Sequence, residues 1–355
     1  METLSWIVSL WFGMTNITGP IHSWLVEKVG YRWLLFSSCI LSCFAMMMAS
    51  ISNTIWQLAL TQGFLSGLGS SLAWFCCISA PQQHFKKRRG LAVGITYAGS
   101  GFGSVILNFI VKGVIQSAGT RWALRVVGFI QLVLLAITAI TVKPFDDGLP
   151  KKQINLLDFS CFKNKRFWLL MVLHILVNFA YYIPSTFIPA FARYLGLGAW
   201  TGTYISMILS AVVFFGKICN GFISDYVGRF NMCVVTSFMA AIMCLAVWST
   251  ATTAGAVWAF AAVYGYFASG YIAMITAVIS QVVGADQVEN ATGYTFFGWL
   301  FGGLFSAPLT SLIINRTSEP DYQGAAFFAG ALFAVSCLVA ITLRIMQGGF
   351  SLKKL

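Results

Sequence analysis

Apolar residues run along this chain in eleven long blocks, at about 3–26, 34–52, 55–80, 91–115, 122–143, 167–192, 200–224, 232–250, 255–281, 292–315 and 324–346. Blocks of this kind cross the ~30 Å hydrocarbon core of a bilayer as helices, since that distance takes about 20 residues at 1.5 Å each. The polar stretches between them are short, except 82–90 and 144–166. The pattern predicts an all-α polytopic membrane protein. It divides into a five-span N-terminal bundle over 1–143, a central loop over 144–166 and a six-span C-terminal bundle over 167–355. Within the loop, Ile154, Leu157, Cys161 and Phe162 are spaced like the apolar face of an interfacial helix, followed by Lys163, Lys165 and Arg166.

Two of the short turns share one plan. Ser23, Glu27, Gly30 and Arg32 repeat the order of Gly221, Asp225, Gly228 and Arg229: a small residue, an acid four later, a Gly three after that, then an Arg. Gly221 allows two helices to approach closely, and Gly228 suits the tight turn. Asp225 falls at a helix C-terminus, the unfavourable end for a negative charge, and so needs a cation, Arg229 or a basic residue from a neighbouring segment. A pair held in one conformation and separated in another is a gating latch. The plainer alternative is a solvated turn whose ion pair is worth about 0–1 kcal/mol. Recurrence in both halves favours the latch, formed by Gly221, Asp225, Gly228 and Arg229 and, in the first half, by Glu27, Gly30 and Arg32.

Composition supports the same class. Hydrophobic residues are 58% of the chain and charged residues 9%, against about 25% charged in soluble domains. The net charge of +12 is scattered over loops and points to topology rather than to nucleic acid. With the Lys86–Arg89 loop placed in the cytoplasm, 17 of the 22 basic residues fall on that side, which puts the C-terminus inside and the N-terminus outside. Which membrane holds the chain is left open. The first block follows Met1 directly, with no basic segment before it, so no cleavable signal is expected. Eight of the nine cysteines lie within apolar blocks, none at metal-ligand spacing. No acidic residue falls deep inside a block, so neither a carboxylate pair nor a metal cluster is expected. An enzyme and a cofactor site are both set aside on that ground.

The repeated acid-x-x-Gly turn with its following Arg resembles the major facilitator superfamily. Gly19-Pro20-Ile21, the run Phe85 to Gly94, Arg121-Trp122-Ala123-Leu124-Arg125 and Gly228-Arg229-Phe230-Asn231 resemble its monocarboxylate-transporter-like family, and in particular the fungal branch. The resemblance implies a two-bundle fold of twelve helices and, in animal members, a proton-linked carrier of small organic acids. One block precedes Glu27 but two precede Asp225 within the second half. The chain is therefore expected to begin at the family's second helix. Val213 and Lys217 stand where animal members carry an Asp and an Arg. Gly94, Gly99, Gly101 and Gly103 occur without the proline of the antiporter motif and read as helix packing.

The resemblance also implies a cavity lined by the first, fourth, seventh and tenth helices of the set, of which the first is expected to be missing here. On 167–192, His174, Asn178, Tyr181 and Ser185 make one polar stripe, which should face protein or a water-filled cavity rather than lipid. The alternative is hydrogen bonding between helices. Lys217 either snorkels to the interface or faces the cavity as the partner of a carboxylate. Tyr264 and Tyr271 share a face of 255–281. The candidate substrate-binding set is Lys217, His174, Asn178, Tyr181 and Tyr271. The reading is a secondary active transporter of a small organic anion, embedded in lipid, with a proton as candidate coupling ion carried by Lys217, His174 or the substrate's own acid. An inactive or sensor-like member of the same family is the alternative.

Overall fold

The computed structural model describes residues 2–84, 89–142, 159–198, 200–284, 287–316 and 320–349, so the readings placed on Ile154, Leu157 and the run Lys86–Arg88 lie outside them. The described residues form helices and turns. In order these are α1 (Glu2–Ile17), α2 (His22–Val29), α3 (Tyr31–Ile51), α4 (Ile55–Leu58), α5 (Ser66–His84), α6 (Arg89–Ala118) and α7 (Thr120–Thr141), then α8 (Lys165–Tyr194), α9 (Thr201–Val227), α10 (Arg229–Ile242), α11 (Ala254–Val283), α12 (Val288–Phe297), α13 (Trp299–Ile314) and α14 (Tyr322–Gly348). Among the described residues, ten helical stretches are long and apolar enough to span a membrane.

The first apolar block is not one of the ten. It breaks into α1, a 3₁₀ turn at Gly19–Ile21, and α2. Pro20 explains the break: it has no N–H to donate and its ring would strike the carbonyl one turn back. The block at 292–315 is likewise interrupted, at Gly298 between α12 and α13.

The chain forms two compact units. One comprises residues 1–86, 106–163 and 285–300. In it α3 packs on both α5 and α7, with Leu35, Cys76 and Ala139 in the shared core. Arg125 donates to Ser50 at 3.1 Å and Arg121 to Asn53 at 2.7 Å, joining the ends of α7 and α3. The 3₁₀ turn Ser160–Lys163 rests on α12. There Gln287 donates to Ser160 Oγ at 3.1 Å, and the Phe162 and Tyr294 rings meet at 5.0 Å.

The other unit comprises residues 87–105, 164–284 and 301–355. Here α9 lies along α11, α10 lies between α11 and α14, and α8 lies against α14. Gly216 lets α9 approach α11, since a Cβ there would stand 2.8 Å from the Tyr266 carbonyl.

The two repeated turns have the same backbone. Gly30 (φ 85°, ψ 152°) closes α2 and opens α3, and Gly228 (φ 102°, ψ 138°) closes α9 and opens α10. A Cβ strains that positive φ by about 1–2 kcal/mol. Gly30→Ala meets open space otherwise. It should lower the thermal midpoint by about 2–8 °C, as scanning fluorimetry would measure; an unchanged midpoint would contradict the strain.

Candidate functional site

The Gly228 turn stands at the hub of a polar network. Arg229 Nη2 lies 3.7 Å from Asp225 Oδ1, and Arg229 Nη1 donates to the Ala277 carbonyl at 3.3 Å. Asp225 has a second partner that lies 134 residues away in sequence: its Oδ2 accepts from the Leu91 backbone N–H at 3.2 Å. Leu91 belongs to the first turn of α6. The carboxylate therefore sits at the negative end of its own helix but at the positive end of α6, whose unpaired N–H groups and dipole favour an anion.

Further polar bonds tie the same ends together. Asn164 donates to the Val282 carbonyl at 3.0 Å, Arg166 to Gln347 at 2.9 Å, and Gln347 to the Gln281 carbonyl at 3.1 Å. The buried Arg344 donates to Asn231. The ends of α6, α8, α9, α10, α11 and α14 are thus linked around Gly228. In the first copy of the turn, Glu27 and Arg32 are exposed, so the two copies share backbone geometry but not burial.

Where the first part of α6 crosses α9 the backbones nearly touch. A Cβ on Gly94 would stand 2.7 Å from the Lys217 carbonyl and 3.5 Å from Gly221 Cα; on Gly101 it would stand 2.7 Å from the Ser210 carbonyl. Gly99 and Gly103 face open space. Only two of the four glycines therefore serve this crossing. Lys217 is held within it, 5% exposed, with Nζ donating to Ser100 Oγ at 2.7 Å and to the Tyr97 carbonyl at 3.1 Å. It does not snorkel. Both of its oxygen partners are neutral.

On α8 the polar stripe points into the unit. His174 and Asn178 are fully buried. His174 Nδ1 lies 3.3 Å from Tyr271 Oη, and Asn178 Nδ2 donates to the His174 carbonyl at 2.7 Å. Asn178 Oδ1 has no hydrogen-bond partner among the described residues. Tyr181 is half-buried; its carbonyl accepts from Tyr264 Oη at 3.1 Å and from Ser185 Oγ at 3.0 Å. The structure thus brings His174, Asn178 and Tyr271 together, while Lys217 turns toward α6.

Among the buried polar residues that the sequence pattern does not single out are Asn220 and His22. Asn220 donates to the carbonyls of Gly216 and Tyr266 at 2.7 and 2.9 Å. Its only sequence signal is an amide inside an apolar block, one turn after Gly216. His22, at the start of α2, is 4% exposed.

Ten helical stretches long and apolar enough to span a membrane among the described residues, a turn repeated in both halves and buried polar side chains between helices define a multi-pass integral membrane protein. The chain belongs to the Major Facilitator Superfamily, whose profile matches residues 1–265. It is similar to the "MFS transporter asaE" of Aspergillus flavus, 31% identical over 99% of this chain and 79% of that protein. It is also similar to the "Fujikurins efflux protein" of Gibberella fujikuroi, 27% identical over 97% of this chain and 74% of the relative. Its fold matches the crystal structure of the superfamily transporter FucP in the outward conformation, with a TM-score of 0.72, 13% identity, and coverage of 95% of this chain and 89% of that one. The chain is a transporter, not an enzyme.

Proposed function

We propose that this transporter moves a small organic anion, a monocarboxylate or a related metabolite, by alternating access, and that Lys217 is the cation that meets it. The observation that carries the reading is the burial of the Lys217 ammonium against two neutral oxygens, Tyr97 O and Ser100 Oγ. A buried charge is costly unless it is paired with an opposite charge. An ammonium has three N–H donors, so an arriving carboxylate can take the remaining one. His174, Asn178, Tyr181 and Tyr271 supply neutral hydrogen-bonding groups to the rest of the ligand. The motif resemblance supports the monocarboxylate-transporter-like branch, and the printed name of the Gibberella relative supports outward movement. A proton is the candidate coupling ion. The same reading places the bundles at 1–143 and 167–355, the C-terminus in the cytoplasm, and the turns at Glu27–Gly30–Arg32 and Gly221–Asp225–Gly228–Arg229 as gating latches.

The test is efflux of radiolabelled lactate and benzoate from cells expressing wild type, Lys217→Arg or Lys217→Gln, normalised to folded protein at the membrane. Loss of the charge should cut the rate about tenfold or more, the effect of about 1.4 kcal/mol. Arg should keep part of it. Equal rates in all three proteins would reduce Lys217 to a packing residue of the α6–α9 crossing.

A further inference from the structure

The α1–α2 break lies against α12, and the two backbones touch at Gly19 and Gly293, where no side chain fits between them. Three buried residues flank that contact: Asn16, His22 and Thr292 are 2%, 4% and 3% exposed. Asn16 Oδ1, both ring nitrogens of His22 and Thr292 Oγ1 have no hydrogen-bond partner among the described residues. Aromatic rings close the space beside them. The His22 ring lies 5.2 Å from that of Phe75, which meets Phe296 of α12 at 6.0 Å.

Buried polar groups in native proteins are nearly always paired, and each unpaired one needs a partner that water supplies when it gains access. We propose that His22 is a proton-binding site that opens the α2–α12 crossing. The closed crossing accommodates a neutral ring. An imidazolium brings two N–H donors and a charge, and the closed crossing offers them no acceptor. A proton taken up while the crossing is open therefore holds it open until the proton leaves.

The other titratable or charged groups on the elements around it do not replace His22. Glu27 and Lys28 of α2 and Arg32 of α3 are exposed. Cys76 and Cys77 of α5, Tyr31 of α3 and Tyr294 of α12 do not ordinarily change charge near neutral pH. Glu289, also on α12, and His84, at the end of α5, enter the test below. The proposal rests on the alternating-access reading and deepens it, by giving the proton a site other than Lys217, His174 or the substrate.

The experiment is hydrogen–deuterium exchange on the full chain in nanodiscs from pH 5 to 8, corrected for the intrinsic pH dependence of exchange. Peptides covering 19–29 and 288–297 should lose protection as pH falls, by up to about tenfold per pH unit, the limit for one linked proton. In His22→Gln that dependence should vanish, and in His22→Lys protection should be low throughout. Unchanged protection of α3 reports that each variant is folded; if the Gln variant is not, His22→Asn takes its place. A flat wild-type profile overturns the proposal. So does a dependence that survives His22→Gln, or one that Glu289→Gln or His84→Gln alone removes. Exchange needs no substrate, so a failure to move lactate or benzoate leaves this result readable.

Discussion

Asp225→Asn is expected to slow transport about tenfold or more, whereas Glu27→Gln should change it by less than about threefold. The asymmetry follows from surroundings, since the two turns have the same backbone. Asp225 accepts the Leu91 N–H at 3.2 Å and faces Arg229 at 3.7 Å. A carboxylate at a helix N-terminus gains about 0.3–1 kcal/mol, or about 2 where partly buried. The ion pair adds less, because exposed pairs are worth about 0–1 kcal/mol. Asparagine preserves the shape but removes the charge from both interactions. Together they come to roughly 2 kcal/mol between the state that holds the bond and one that has broken it, and each 1.4 kcal/mol is a factor of ten. Glu27 and Arg32 are exposed, where solvent screens a charge and an ion pair is worth about 0–1 kcal/mol. Efflux assays on both variants, matched for membrane expression, check the ratio. Equal effects would mean that the second turn draws nothing from the α6 terminus.

Much of this was legible in the residues, because it is local. A block's apolar length is a property of the block alone, so ten of the eleven segments appear as spanning helices. The positive φ of Gly30 and Gly228 follows from a Gly placed between two helices. The buried face of α8 follows from the period of its polar residues.

What the sequence left open depends on which surface meets a neighbouring helix. The turn of Asp225 supplies Arg229 as its cation; the α6 N-terminus is a second partner that no nearby spacing reveals. Lys217 had two readings, snorkelling and cavity-facing, because one helix does not show which neighbour lies over it; the structure turns it to α6. The burial of His22 has no signal in its own block, since the α12 segment that covers it comes about 270 residues later in the chain. The break at Gly19–Pro20 was a local signal, and it was read only as part of a family motif.

The four glycines of α6 should separate into two classes on substitution. Gly94→Leu and Gly101→Leu are expected to destabilise the protein and lower transport about tenfold or more, while Gly99→Ala and Gly103→Ala leave both unchanged or raise stability slightly. At Gly94 and Gly101 the atoms nearest an added Cβ are backbone, the Lys217 carbonyl at 2.7 Å and the Ser210 carbonyl at 2.7 Å. Backbone cannot swing aside as a flexible side chain does, so α6 and α9 must separate. Overpacking of this kind costs about 1–3 kcal/mol. At Gly94 separation also draws Lys217 Nζ away from Ser100 and Tyr97, to which it bonds at 2.7 and 3.1 Å. At Gly99 and Gly103 nothing lies within 4 Å. Alanine there removes only the glycine penalty inside a helix, a gain of about 0.5–1 kcal/mol. Scanning fluorimetry on the purified variants should show midpoints about 2–12 °C lower for the first pair and level or slightly higher for the second. If all four behave alike, the glycines act through helix propensity rather than through the α6–α9 contact.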